Sequence, residues 1–203
     1  MAEVTTIYHD QEGIQNTDAT LAAARRRAKE LGVRQLVVAT TTGQTAVTCA
    51  EMMAEEMDTI VAVMMHAVDY EVTVNRPAGK TRAPNPDLVA QARKRGVKIY
   101  RGVHSLAGAV GSAIQGKYGG VTPETLIART YMTLSTGTKV AVESTLMAAD
   151  AGYLDVDADV IALGGWRGGA DTAVVVKPAF THTFFDLRIR EFIALPRAAG
   201  TQG

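Results

Sequence analysis

The chain has 203 residues, 47% hydrophobic and 21% charged, and its 21 basic and 21 acidic side chains cancel to a formal net charge of zero. That balance excludes a general nucleic-acid binder, and no apolar run approaches the length of a membrane span. The amino terminus lacks the basic and apolar regions of a signal peptide, and the lone Cys49 excludes an internal disulfide, so a cytoplasmic protein is expected. The length suits one domain, expected over residues 1–197 with a frayed tail at 198–203.

Thr5 to Tyr8 reads as a short edge strand. Asn16 or Thr17 is expected to cap a first helix, with Asp18 in its first turn and Gly32 closing it. Leu36 to Ala39 forms an unbroken apolar run, as a parallel strand covered on both faces requires. Thr40, Thr41, Thr42 and Gly43 break it. Ala46, Val47, Ala50, Met53, Ala54 and Met57 then recur at helical spacing, predicting a helix to about Asp58. Cys49 lies within it, as a small core residue.

Thr59 to Met64 is a second buried strand, with His66 just past its end. From there to Pro86 no helical period appears. Arg76, Lys80 and Arg82 make this stretch basic, which suits either closure over an anion or a solvated loop. A helix over Asp87–Arg95 and a strand over Val97–Tyr100 follow, then His104 and Ser105. Leu106 to Gly116 is small and glycine-rich, predicting a closely packed helix. Thr122-Pro123-Glu124 starts another helix, expected to end by Gly137.

Lys139 to Ala151 reads as a buried helix, interrupted by Glu143. A carboxylate there is either paired with Lys139, four residues earlier, or functional. Strands at Asp159–Leu163, Ala173–Val176 and Ile189–Leu195 complete the pattern. Alternating strands and helices predict a three-layer α/β domain with a mostly parallel sheet, whose ligands sit beyond the carboxyl ends of the strands.

Two loops at that rim carry the site expectations. Thr41, Thr42, Gly43, Gln44 and Thr45 form either a phosphate cradle at a helix amino end or an ordinary threonine-capped turn. Gly165, Arg167, Gly168, Gly169, Ala170, Asp171 and Thr172 form either a loop whose glycines let backbone approach a ligand or a flexible hairpin-like turn around a core tryptophan. There Arg167 suits a phosphate and Trp166 a flat ring. His66, His104 and Glu143 are the acid–base candidates. Gly111–Tyr118 nearly matches a P-loop, but no Ser or Thr follows Lys117 and no strand precedes it. Dinucleotide and nucleophile-elbow motifs and metal-ligand spacings are absent.

The segments Thr40–Ala46 and Gly165-Trp166-Arg167-Gly168-Gly169 resemble the two effector loops of the pyruvate kinase carboxyl-terminal domain. In many pyruvate kinases those loops hold a sugar bisphosphate. That enzyme's catalytic barrel is not in these residues, so its activity is not implied. Asn16-Thr17, Arg27–Gly32, Leu36–Ala39, Val142-Glu143, Met147–Asp150 and Gly169–Val175 are similar to stand-alone archaeal and bacterial proteins of the same fold, which have no established reaction. Their association with flavin mononucleotide (FMN) implies FMN or a similar phosphorylated ligand here. A flavoenzyme, a regulatory module for a sugar phosphate or nucleotide, and an enzyme of phosphorylated metabolites all remain open. So does assembly as a homo-oligomer.

Overall fold

Two sets of apolar residues alternate along the central strands. Leu36, Ile60, Ile161 and Val175 pack on one side, and Val37, Val61, Ala162 and Val174 on the other, all buried. Helices cover both faces, so neither set needs polar partners facing water. The computed structural model describes residues 3–65, 84–106, 108–166 and 168–198. His66, Arg76, Lys80, Arg82, Arg167 and the tail beyond Ala198 lie outside the described residues.

In chain order the elements are β1 (Ile7–Gln11), α1 (Thr17–Leu31), β2 (Gln35–Ala39), α2 (Gln44–Met53), β3 (Thr59–Met65), α3 (Pro86–Lys94) and β4 (Lys98–Gly102). Then come α4 (Ala109–Tyr118), α5 (Pro123–Met132), α6 (Thr136–Asp150), β5 (Val160–Gly164), β6 (Thr172–Lys177) and β7 (Arg188–Ala198). The sheet order is β1-β7-β6-β5-β2-β3-β4. Every pairing is parallel except the two made by β6. The three-layer, mostly parallel α/β architecture is therefore as expected. Helices α1, α2 and α3 pack on one face, and α5 and α6 on the other.

Several boundaries follow the expected chemistry. Gly32 closes α1 at φ +68°, and Pro86 and Pro123 each open a helix behind a capping side chain. Others move. Asn16 does not cap α1; its amide donates to the Gln11 carbonyl, and a 3₁₀ turn leads into the helix. Helix α2 stops at Met53, short of Asp58. Helix α4 buries none of its residues, against the close packing expected of its small side chains. Gly137 ends nothing. Helix α5 stops at Met132, and Ser135 caps α6 by accepting from the Thr138 N–H at 2.9 Å, which leaves Gly137 in the first turn of a buried helix. β7 runs through Ala198, one residue past the expected domain end.

Candidate functional site

Because β2, β3, β4 and β5 point the same way, their carboxyl ends share one rim, where β6 begins. Strand β2 continues through α2 on one face, while α6 descends into β5 on the other. The crevice between β2 and β5 is thus a switch point of the kind where such sheets hold ligands. A cavity of about 560 Å³ lies there, within the roughly 300–1,000 Å³ range of small-molecule sites.

The threonine loop is divided. Thr40, Thr41 and Thr45 line the cavity, whereas Thr42, Gly43 and Gln44 are not on its wall. The Thr40 hydroxyl accepts from the Gly43 N–H at 3.0 Å, and that of Thr42 from the Gln44 N–H at 3.3 Å. Gly43, at φ +101°, is backed by α3, where an added methyl group would sit 3.1 Å from the Leu88 Cβ. What this loop offers the cavity is two hydroxyls, Thr41 and Thr45, at the positive end of α2.

The glycine-rich loop divides in the same way. Gly165, Trp166, Gly168 and Gly169 line the cavity, and Ala170 to Thr172 anchor the loop. The Ala170 N–H donates to the Thr17 hydroxyl at 3.1 Å. The fully buried Asp171 carboxylate accepts from the Gly13 N–H at 3.0 Å, the Trp166 N–H at 3.3 Å and the Thr172 hydroxyl at 2.9 Å. Burial pushes the Asp171 carboxyl up, with the Thr172, Gly13 and Trp166 donors pulling it back. Thr172 also meets the Ser135 hydroxyl at 3.0 Å, which ties this loop to the cap of α6. The amino end of α6 reaches the rim too, but its Thr136 N–H already donates to the Glu12 carboxylate at 3.2 Å.

Glu143 faces the cavity from the middle of α6, only 2% exposed. Its Oε1 accepts from the Leu106 N–H at 2.8 Å. Its Oε2 meets His104 Nδ1 at 3.0 Å and the Lys139 ammonium. Burial works to raise this carboxyl, but the His104 hydrogen bond and the Lys139 and His104 charges win and hold it at about 2. The carboxylate therefore fixes the loop after β4 onto α6 and orients the His104 ring, which lines the cavity. A carboxylate holding one nitrogen of an imidazole is how proton-transfer sites orient a base.

Sequence reasoning named Glu143 and its neighbour Lys139 but missed the rest of the α5–α6 wall. Thr136, Lys139, Glu143 and Met147 all line the cavity, joined by Arg129 of α5. Their spacing of three or four residues marks one helix face, and that was the available signal. It was hidden because the other faces of α6 are buried as well. Among the described residues no group of three or more His, Cys, Asp or Glu side chains could hold a metal, and no helix is long and apolar enough to cross a membrane.

A three-layer α/β domain with a ligand-sized cavity at the switch point of its sheet defines the class of this protein. Residues 18–176 match the family model of the pyruvate kinase alpha/beta domain, and the chain belongs to that family. The match runs from the first turn of α1 into β6, so it takes in both rim loops and all of α6.

Proposed function

We propose that the rim cavity binds a small phosphorylated ligand, with FMN the first candidate. The observation that carries this reading is one cavity lined both by Thr41 and Thr45 at the amino end of α2 and by Trp166 with Gly165, Gly168 and Gly169. A phosphate suits the helix end, where the dipole and hydroxyl donors favour negative charge. A flat ring suits Trp166 and the glycine backbone, which leave room for close approach. FMN bound in this way would supply electron transfer. His104, oriented by Glu143, lines the same cavity, where it would exchange a proton with the ligand. The reading takes the protein as cytoplasmic, in keeping with its free, buried Cys49.

A second reading, a regulatory module that binds a sugar phosphate or nucleotide without chemistry, is favoured by one observation. The Glu143 carboxylate already has three partners in His104, Lys139 and Leu106. An absorbance spectrum of the purified protein separates the two, with mass spectrometry of whatever heat releases. A yellow protein that releases FMN supports the flavin reading. A colourless protein that refuses FMN but takes up a sugar phosphate supports the module. Uptake of neither overturns the proposal.

A further inference from the structure

Helix α4 differs from every other helix around the cavity. It contributes Ser112 and Gln115 to the cavity wall, yet none of its residues is buried. Val110 and Tyr118 are more than 70% exposed. By contrast α6, on the adjoining wall, is buried along nearly its whole length. Free energy for lifting a segment comes chiefly from the apolar area it must expose and the hydrogen bonds it must break. For α4 the first term is small.

Two of the hydrogen bonds that hold it are polar and local. The Gln115 amide donates to the Gly120 carbonyl at 2.8 Å and accepts from the Thr125 hydroxyl at 3.4 Å. Both ends of the helix are left-handed. Gly108 and Ala109 have φ of +148° and +55°, and Gly119 and Gly120 have +76° and +86°. Ala109 is the one non-glycine residue with positive φ among the described residues, a conformation that costs an alanine about 1–2 kcal/mol. Paired glycines at an element's end are positions where a large backbone rotation is cheap. The first hinge also adjoins the site: a methyl group at Gly108 would sit 3.0 Å from the His104 Cβ.

We infer that α4 is a hinged cover of the cavity, turning about Gly108–Ala109 and Gly119–Gly120, and that its opening controls access to His104. The side chains that α4 turns to the cavity, Ser112 and Gln115, are uncharged, so closure does not depend on which phosphorylated ligand lies beneath. The inference therefore stands apart from the ligand proposed above.

The test uses the purified chain without ligand. Gly119→Ala and Gly120→Ala are the informative variants, because an added methyl group at either position meets nothing within 4 Å. Each change penalises only the left-handed backbone of the closed cover. Two readouts are taken together: native-state hydrogen exchange of α4, and the rate at which diethyl pyrocarbonate modifies His104, followed by peptide mass spectrometry. In the unaltered protein, α4 amides should exchange by local opening, far faster than those of α6. A penalty of about 1 kcal/mol corresponds to roughly a fivefold rise in the open population. Both α4 exchange and His104 modification should rise by that factor in each variant. The α6 amides and the exposed His182 should keep their rates. Exchange of α4 only with global unfolding would overturn the inference. So would faster α4 exchange with an unchanged His104 rate, since the helix would then move without gating the cavity. Protection of α4 by added FMN would join the cover to the ligand reading; bound FMN that leaves α4 exchange unchanged would overturn the cover. A failure of FMN to bind counts only against the ligand.

Discussion

Gly164, the last residue of β5, lies in backbone contact with Gly137 in the first turn of α6. A methyl group at 164 would lie inside the van der Waals envelope of the Gly137 carbonyl oxygen and 2.9 Å from the Ala141 nitrogen. One at 137 would overlap the Thr172 hydroxyl and sit 2.7 Å from Asp171 Oδ1. This contact seats the amino end of α6 on the sheet and so positions the wall that carries Lys139 and Glu143. Backbone cannot swing aside as a flexible side chain does. Gly164→Ala should therefore lose about 3 kcal/mol, the upper end of ordinary overpacking. Urea unfolding checks it; a midpoint equal to that of the unaltered protein would show that the contact has slack.

Glu143→Gln removes the charge that Lys139 and His104 share. Breaking a buried pair by deleting one partner costs about 3–5 kcal/mol, because the remaining charge stays buried. The pH dependence carries a sign. The folded protein holds the Glu143 carboxyl at about 2 against an ordinary 4.5. Its stabilisation is thus fully present above 4.5 and is lost as pH falls towards 2. Asp171 runs the other way, since burial raises its folded pKa above 3.8. Its contribution is full below 3.8 and is lost as pH rises through the raised folded value. Acidification should therefore destabilise the unaltered protein more steeply than Glu143→Gln. Parallel stability curves for the two would contradict an ionised, paired Glu143.

Thr41 and Thr42 are neighbours with different surroundings. Thr41 lines the cavity, while the Thr42 hydroxyl accepts from Gln44 and its carbonyl from the Asn85 N–H at 2.9 Å. If the phosphate sits at the start of α2, Thr41→Glu should weaken FMN or sugar-phosphate binding by at least about tenfold, or roughly 1.4 kcal/mol. Thr42→Glu should weaken it far less. Fluorescence titration of both variants decides the matter, with circular dichroism to confirm folding. Equal effects would place the phosphate elsewhere.

Asp171→Asn keeps the shape of the side chain and exchanges one acceptor oxygen for a donor. With its amide nitrogen towards Thr172, the asparagine keeps its oxygen on the Gly13 and Trp166 N–H groups, but the Thr172 hydroxyl must accept instead of donate and turn its proton to Ser135. Two bonds to a charged acceptor become bonds to a neutral one, for an expected loss of about 1 kcal/mol, with faster hydrogen exchange at Trp166 and Ala170. Undiminished stability would mean that the carboxylate does not anchor the loop.

The alternation of strands and helices was legible because parallel strands covered on both faces must be apolar runs, and Leu36–Val38, Thr59–Met64 and Val160–Leu163 are such runs. The helix start at Pro123 was legible because capping chemistry is local. Gly137 was misread for the same reason. Glycine after a helix is a local stop signal, whereas Gly137 is required by backbone approaching from residue 164. Asp171 was assigned to the ligand with its glycine-rich neighbours, but the groups that claim it come from Gly13, Trp166 and Thr172. Small residues in α4 suggested close packing, yet the helix lies on the surface with none of its residues buried.

Sequence alone therefore determined the layered α/β class, a few of the helix ends and the two loops at the rim, since each depends on periodicity or on neighbours a few residues away. Tertiary structure decided the reversed direction of β6, whose apolar run reads the same either way. It also decided which half of each rim loop faces the cavity. It also brought His104 to the Lys139–Glu143 pair, which four-residue spacing on one helix already offered: His104 lies 39 residues before Glu143, and only the packing of α6 on the sheet brings a contact of that separation together.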